Sequence, residues 1–148
     1  MINEIKKLRQ QTGAPLEQIR LALQASRGDP TKAAKLLTEF GKQTAAKRAA
    51  KTASAGVVAS YSHLGKVGVI VELNCETDFV GRNEQFHNFA HELALQIAAQ
   101  DPKDAVELLK QTYIKDESKT VADLLAELSG KLGEKVVIGR FSRIELGQ

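Results

Sequence analysis

The chain has 148 residues, enough for one ordinary domain or for a small one beside a medium one. Hydrophobic residues make up 43% and charged residues 26%, which excludes a disordered chain, and no apolar run is long enough to span a bilayer or serve as a secretory signal. The net charge is only +3, the acids are spread among the bases, and five Phe, two Tyr and no Trp offer few base-stacking groups, so a dedicated nucleic-acid binder is disfavoured. The single Cys75 leaves no intramolecular disulfide and fits a reducing, cytoplasmic compartment.

Residues 1–41 predict a three-helix bundle. Ile2, Ile5 and Leu8 recur at helical spacing, and Gly13 supplies a stop. Pro15 suits the first turn of a second helix whose apolar face is Leu16, Ile19, Ala22 and Leu23. Gly28-Asp29-Pro30 reads as stop, cap and start. Ala33, Leu36, Leu37 and Phe40 form the third apolar face, closed by Gly41. Residues 42–54 are Ala-rich with Lys42, Lys47, Arg48 and Lys51 and no acid. They read as a solvated connecting helix, or alternatively as a strip touching RNA or an acidic protein.

From residue 55 to 148 the pattern is that of an α+β domain. Val57–Tyr61 and the alternating Val67, Val69, Val71 and Leu73 predict a hairpin around His63-Leu64-Gly65-Lys66. Asn83–Gln100 predicts a helix with Phe86, Phe89, Ala90, Leu93 and Ile97 on one face. Shorter helices follow near Ala105–Lys110 and Val121–Leu132, the latter ended by Gly133. Val136–Phe141 is a last strand that continues towards Ile144 and Leu146. The expected architecture is a three-stranded antiparallel sheet with helices on one face.

Signals for covalent chemistry are missing: there is no Gly-rich phosphate loop, no G-x-S-x-G elbow and no cysteine pair. His87 and His91 share a helix face at metal-chelating spacing. Asn88, however, stands where a metallopeptidase places its Glu, and flanking surface histidines are the plainer reading. Cys75 has an acidic neighbour and no basic one, so it reads as a packed thiol. Thr77-Asp78-Phe79-Val80 joins a strand to a helix. Asp78 there reads either as a helix cap or as a charged group presented with Phe79. Phe79 reads either as a core aromatic or, because Phe86, Phe89, Val71 and Leu73 already supply core contacts, as an outward aromatic tip.

The segment Val71 to Val80, with Arg82-Asn83-Glu84 and Phe86, resembles the core signature of the translation elongation factor Ts family, with Gly81 in place of the usual small Ala. Leu8-Arg9 and Thr12-Gly13-Ala14 match that family's L-R-x-x-T-G-A pattern, and Arg140-Phe141, Arg143 and Glu145-Leu146-Gly147 resemble the end of its short, single-core members. The resemblance implies a ubiquitin-associated-like N-terminal bundle. It also implies a guanine-nucleotide exchange factor that binds elongation factor Tu in its GDP-bound and nucleotide-free forms, without covalent chemistry, metal or cofactor, in the bacterial cytoplasm. Asp78 and Phe79 would enter beside the partner's magnesium and phosphates. Asn74, Glu76 and Thr77 would fix the corner, Val80 would anchor it, and Arg82 would complete the contact set. Leu8, Arg9, Thr12, Gly13, Ala14 and Leu16 would form an N-terminal docking surface. Single-core relatives pair into dimers, with a monomer as the alternative, and neither direct nucleic-acid nor membrane contact is expected. The chain departs from the family pattern at Pro15–Arg20 and in a middle segment, residues 101–115, too short for the family's longer insertion.

Overall fold

Leu8, Ile19, Ala22, Leu23, Ala33 and Leu37 are buried together by three helices in the computed structural model, which describes residues 1–148 apart from the side chains of 45 and 48. Helix α1 (Ile2–Thr12) ends on Gly13, whose φ of 65° lets its N–H reach the Arg9 carbonyl. Helix α2 (Leu16–Ala25) follows Pro15, which occupies the cap position one residue before the expected first turn. Helix α3 (Pro30–Ala49) is started by Asp29, whose Oδ1 accepts from the N–H groups of Thr31 (2.9 Å) and Lys32 (3.2 Å).

Ile2 and Leu16 do not join the apolar faces expected of them: each is the first residue of its helix and is exposed. Gly41 does not close α3, which runs on to Ala49 and takes up most of the expected connecting helix. A mid-helix Gly costs only about 1 kcal/mol, and the Ala-rich continuation favours helix. Within that stretch Lys42 lies 3.7 Å from Glu39, while the side chain of Arg48 is outside the described residues.

The chain divides into two compact units, Met1–Lys51 and Thr52–Gln148. The second begins with the expected hairpin: β1 (Ala55–His63) pairs antiparallel with β2 (Val67–Cys75), from Ala55 opposite Cys75 to His63 opposite Val67. Leu64 and Gly65 both have positive φ (54° and 66°), the backbone that matches strand twist in a tight hairpin. After β2 come a single helical turn, α4 (Asp78–Gly81), and the long α5 (Glu84–Gln100). Helix α6 (Ala105–Lys110), a ribbon of β3 (Thr112–Tyr113) and β4 (Asp116–Thr120), and α7 (Val121–Leu132) lead to β5 (Val137–Glu145). Strand β5 pairs antiparallel with β2, giving the order β1-β2-β5.

Alternation along β2 decides the layers. Val69, Val71, Leu73 and Cys75 face the helices and are buried with Phe86, Ala90, Leu93 and Ile97 of α5. The opposite face carries Val58, Ile70 and Ile144, all exposed. Between Val71 and Leu73 the register shifts, so that Gly139 and Arg140 together oppose Glu72. The Arg140 N–H that leaves the ladder donates to Glu72 Oε1 (3.2 Å), and a Cβ at Gly139 would strike that carboxylate. The ribbon β3–β4 has no counterpart among the sequence expectations. It is held by Gln96 of α5, a fully buried polar side chain whose Nε2 donates to Gln111 Oε1 and the Thr112 carbonyl, while its Oε1 accepts from Ile114 N–H (3.0 Å).

Candidate functional site

Strand β2 ends buried at Cys75, and the eight residues 76–83 turn the chain from the sheet into α5. Thr77 takes an extended conformation (φ −126°, ψ 153°), and its Oγ1 accepts from the Val80 N–H at 3.3 Å, capping α4. Asp78 is therefore the first residue of that turn and not its cap. Side chains step by about 100° in a helix, so burying Val80 and Gly81 sends Asp78 and Phe79 outward. Val80 is 5% exposed and Phe79 is 86% exposed. Asn83 starts α5 by accepting from Gln85 and Phe86 N–H groups, and His87 Nε2, carrying a proton, donates to the Gly81 carbonyl at 2.7 Å.

Glycines let the turn sit against the sheet. Gly56 of β1 has φ 140°, and any Cβ there would run into the Leu73 carbonyl. Opposite it, a Cβ on Gly81 would meet Gly56 backbone atoms at 3.5 Å, an ordinary contact, so the corner has room for Ala at that position.

The underside of the corner is acidic and hydrogen-bonded. Glu134, just after α7, accepts from the N–H groups of Glu76 and Thr77 (both 3.1 Å) and from the Thr77 hydroxyl (2.7 Å). Glu76 reaches back to accept from Lys135 N–H at 2.6 Å. Cys75 donates to the Thr77 carbonyl at 3.2 Å; burial foremost, with the Glu134 carboxylate adding to it, pushes its thiol pKa up and away from nucleophilic use. Among the described residues no three His, Cys, Asp or Glu side chains gather as metal ligands.

A family model described as elongation factor TS matches residues 76–148. Full-length relatives extend the match. An elongation factor Ts of Caldanaerobacter subterraneus subsp. tengcongensis is 38% identical over 190 aligned positions, covering 97% of this chain and 95% of the relative. One from Thermodesulfovibrio yellowstonii is 35% identical, covering 97% and 94%. The chain belongs to the elongation factor Ts family.

It is thereby a protein of translation elongation. A longer elongation factor Ts, from Clostridium kluyveri, is 44% identical over 145 positions that cover 97% of this chain but 47% of the relative. The Caldanaerobacter alignment has 190 positions against 148 residues here, so this member of the elongation factor Ts family lacks more than forty positions found in that alignment.

The structure gathers some of the expected site residues and disperses others. Glu76, Thr77, Asp78, Phe79 and Val80 form the corner, with exposed Arg82 directly after it. Asn74 lies instead on the open sheet face, hydrogen-bonded to the Glu72 side chain. In the first unit Leu8 is 2% exposed and belongs to the bundle core, whereas Arg9, Thr12, Gly13 and Leu16 are exposed and Ala14 is half-buried. The Thr12 hydroxyl donates to the Leu8 carbonyl and accepts from Ala14 N–H, so these residues shape one loop. Glu134 was not among the residues expected from sequence. Its only local signal is an acid after a helix-ending glycine, and the corner lies 57 residues away.

Proposed function

We propose that this chain binds elongation factor Tu and accelerates GDP release, acting as an exchange factor and not as a covalent catalyst. The observation that carries the reading is the 86% exposed Phe79 on a helical turn whose next residue, Val80, is buried. An aromatic presented so fully gains nothing for this fold, while its transfer into a partner's apolar pocket is worth about 1.5–3 kcal/mol. Phe79 then supplies the wedge. Asp78, beside it, competes for the groups that order magnesium and phosphates in the partner, on which GDP affinity depends. A factor that binds nucleotide-free Tu better than Tu·GDP must weaken GDP by the same ratio. Exposed Arg9, Thr12, Gly13 and Leu16 form a second contact that raises the local concentration of the corner.

The test is release of a fluorescent GDP from Tu with wild type, Asp78→Ala and Phe79→Ala. Losing the Phe79 contact should slow stimulated release roughly 10- to 100-fold, and Asp78→Ala should slow it in the same direction, with circular dichroism unchanged in both. Undiminished stimulation by both variants overturns the wedge. RNA binding that weakens steeply with salt and depends on Lys42 and Lys47, without Tu binding, would favour the rival class. We further propose that two copies pair through the open sheet face bearing Val58, Ile70 and Ile144.

A further inference from the structure

Helix α4 has four residues, too few to hold its own orientation in water. The direction in which Asp78 and Phe79 leave the core is therefore set by the burial of Val80 together with bonds from outside the turn. The bond at its N-terminus depends on a single proton. The Thr77 hydroxyl has one hydrogen, which it gives to Glu134 Oε2 at 2.7 Å. With that proton committed, the oxygen's lone pairs are left for the Val80 N–H at 3.3 Å, which is the cap bond of α4. The other carboxylate oxygen of Glu134 takes the N–H groups of Glu76 and Thr77, the last two residues before the turn. Glu134 is itself pinned: its carbonyl accepts the Ser129 hydroxyl of α7 at 2.6 Å, and its neighbour Lys135 donates to Glu76. A half-buried carboxylate thus receives three hydrogen bonds and spends all of them on the two residues that launch the exposed tip.

We propose that Glu134 is a positioning residue for nucleotide exchange, acting through the Thr77 hydroxyl to aim Asp78 and Phe79. The proposal rests on the exchange reading above. The Glu134 carboxylate is spent on Glu76 and Thr77, so in this role its removal should lower the rate of GDP release at saturating factor more than it changes the concentration needed for half-saturation. Glu134→Gln is the informative variant. Its amide oxygen can still accept from the two N–H groups, but an NH₂ replaces the acceptor of the Thr77 proton, which forces the hydroxyl to turn and compete with the Val80 bond.

The experiment measures Tu·GDP release across factor concentration for wild type, Glu134→Gln, Glu134→Ala, Thr77→Val, and the double variant Glu134→Gln/Thr77→Val. Unfolding temperature and amide exchange at Val80 are followed in parallel. Glu134→Ala should cut the saturating rate roughly tenfold or more and Glu134→Gln by less, with half-saturation shifted less than about twofold. In the Thr77→Val background Glu134→Gln should have no further effect, because the hydroxyl through which it acts is gone. Val80 N–H should exchange faster in both Glu134 variants while Leu93 stays protected. Should the Ala variant fail to fold, Glu134→Gln carries the comparison alone. The proposal is overturned by folded Glu134 variants that keep the wild-type saturating rate, by losses additive with Thr77→Val, or by unchanged Val80 exchange. If the wild type does not accelerate GDP release, the exchange reading fails instead; the Val80 measurement still decides whether Glu134 orders the corner.

Discussion

Tyr113 donates its hydroxyl proton to Glu92 Oε2 at 2.9 Å, and Glu92 also holds Lys115 at 2.7 Å. Burial first, and then the adjacent carboxylate, push the Tyr113 pKa up from 10.0 to about 12. The folded state thus keeps a proton that the unfolded chain gives up near pH 10. The associated stability is fully present below pH 10 and is lost as pH rises towards 12. An alkaline unfolding series should show stability declining through that window, with the decline reduced in Tyr113→Phe. Phenolate absorbance in a Tyr61→Phe background should place the Tyr113 titration above 10. At this same scale the sequence was informative about Phe79 and silent about Glu134. Phe79 stood out because its neighbours Val71, Leu73, Phe86 and Phe89 already met the core's needs along one strand and one helix. Glu134 acts across 57 residues through backbone amides, and a pairing of that kind leaves no periodicity to read.

Local rules placed most elements because their boundaries carry chemistry. Thr120 and Asp123 form a reciprocal capping box at the start of α7, and Gly133, with φ 72°, ends it. The hairpin turn and the apolar face of α5 are equally local. Where tertiary contact decides, local pattern is a poorer guide. Gly41 failed to stop α3, and the β3–β4 ribbon is polar and short. That ribbon depends on Gln96, buried in α5 among apolar side chains and reading in sequence like any surface glutamine. Replacing it with Leu would keep the volume but leave Ile114 N–H and the Thr112 carbonyl without their partner. Gln96→Leu should therefore cost about 2–3 kcal/mol in denaturant unfolding. Amide exchange at Ile114 should accelerate well beyond that of α5 itself, and equal protection in the variant would show that the ribbon stands without Gln96.

At the scale of the whole chain the two units have separate cores, and the second keeps one sheet face bare. In the proposed pairing, the register sets what that face would present to another sheet. Ile70 at its centre lies opposite Ser60 on β1 and Ser142 on β5, while Ile144 lies opposite Gly68. Small neighbours leave these apolar side chains standing proud, able to interdigitate with a facing sheet at about 10 Å. Under two-fold symmetry each substitution enters the interface twice. Ile70→Glu would then add two carboxylates beside the Glu72 of each copy, and burying an unpaired charge outweighs the few kcal/mol that the apolar contacts supply. Light scattering of the wild type should give twice the 16.1 kDa of one chain. Ile70→Glu should give a single chain's mass with its circular dichroism intact, because Ile70 points away from the core. If the wild type scatters as one chain at tens of micromolar, the face is not a self-association surface. If Ile70→Glu remains a dimer, the pairing lies elsewhere.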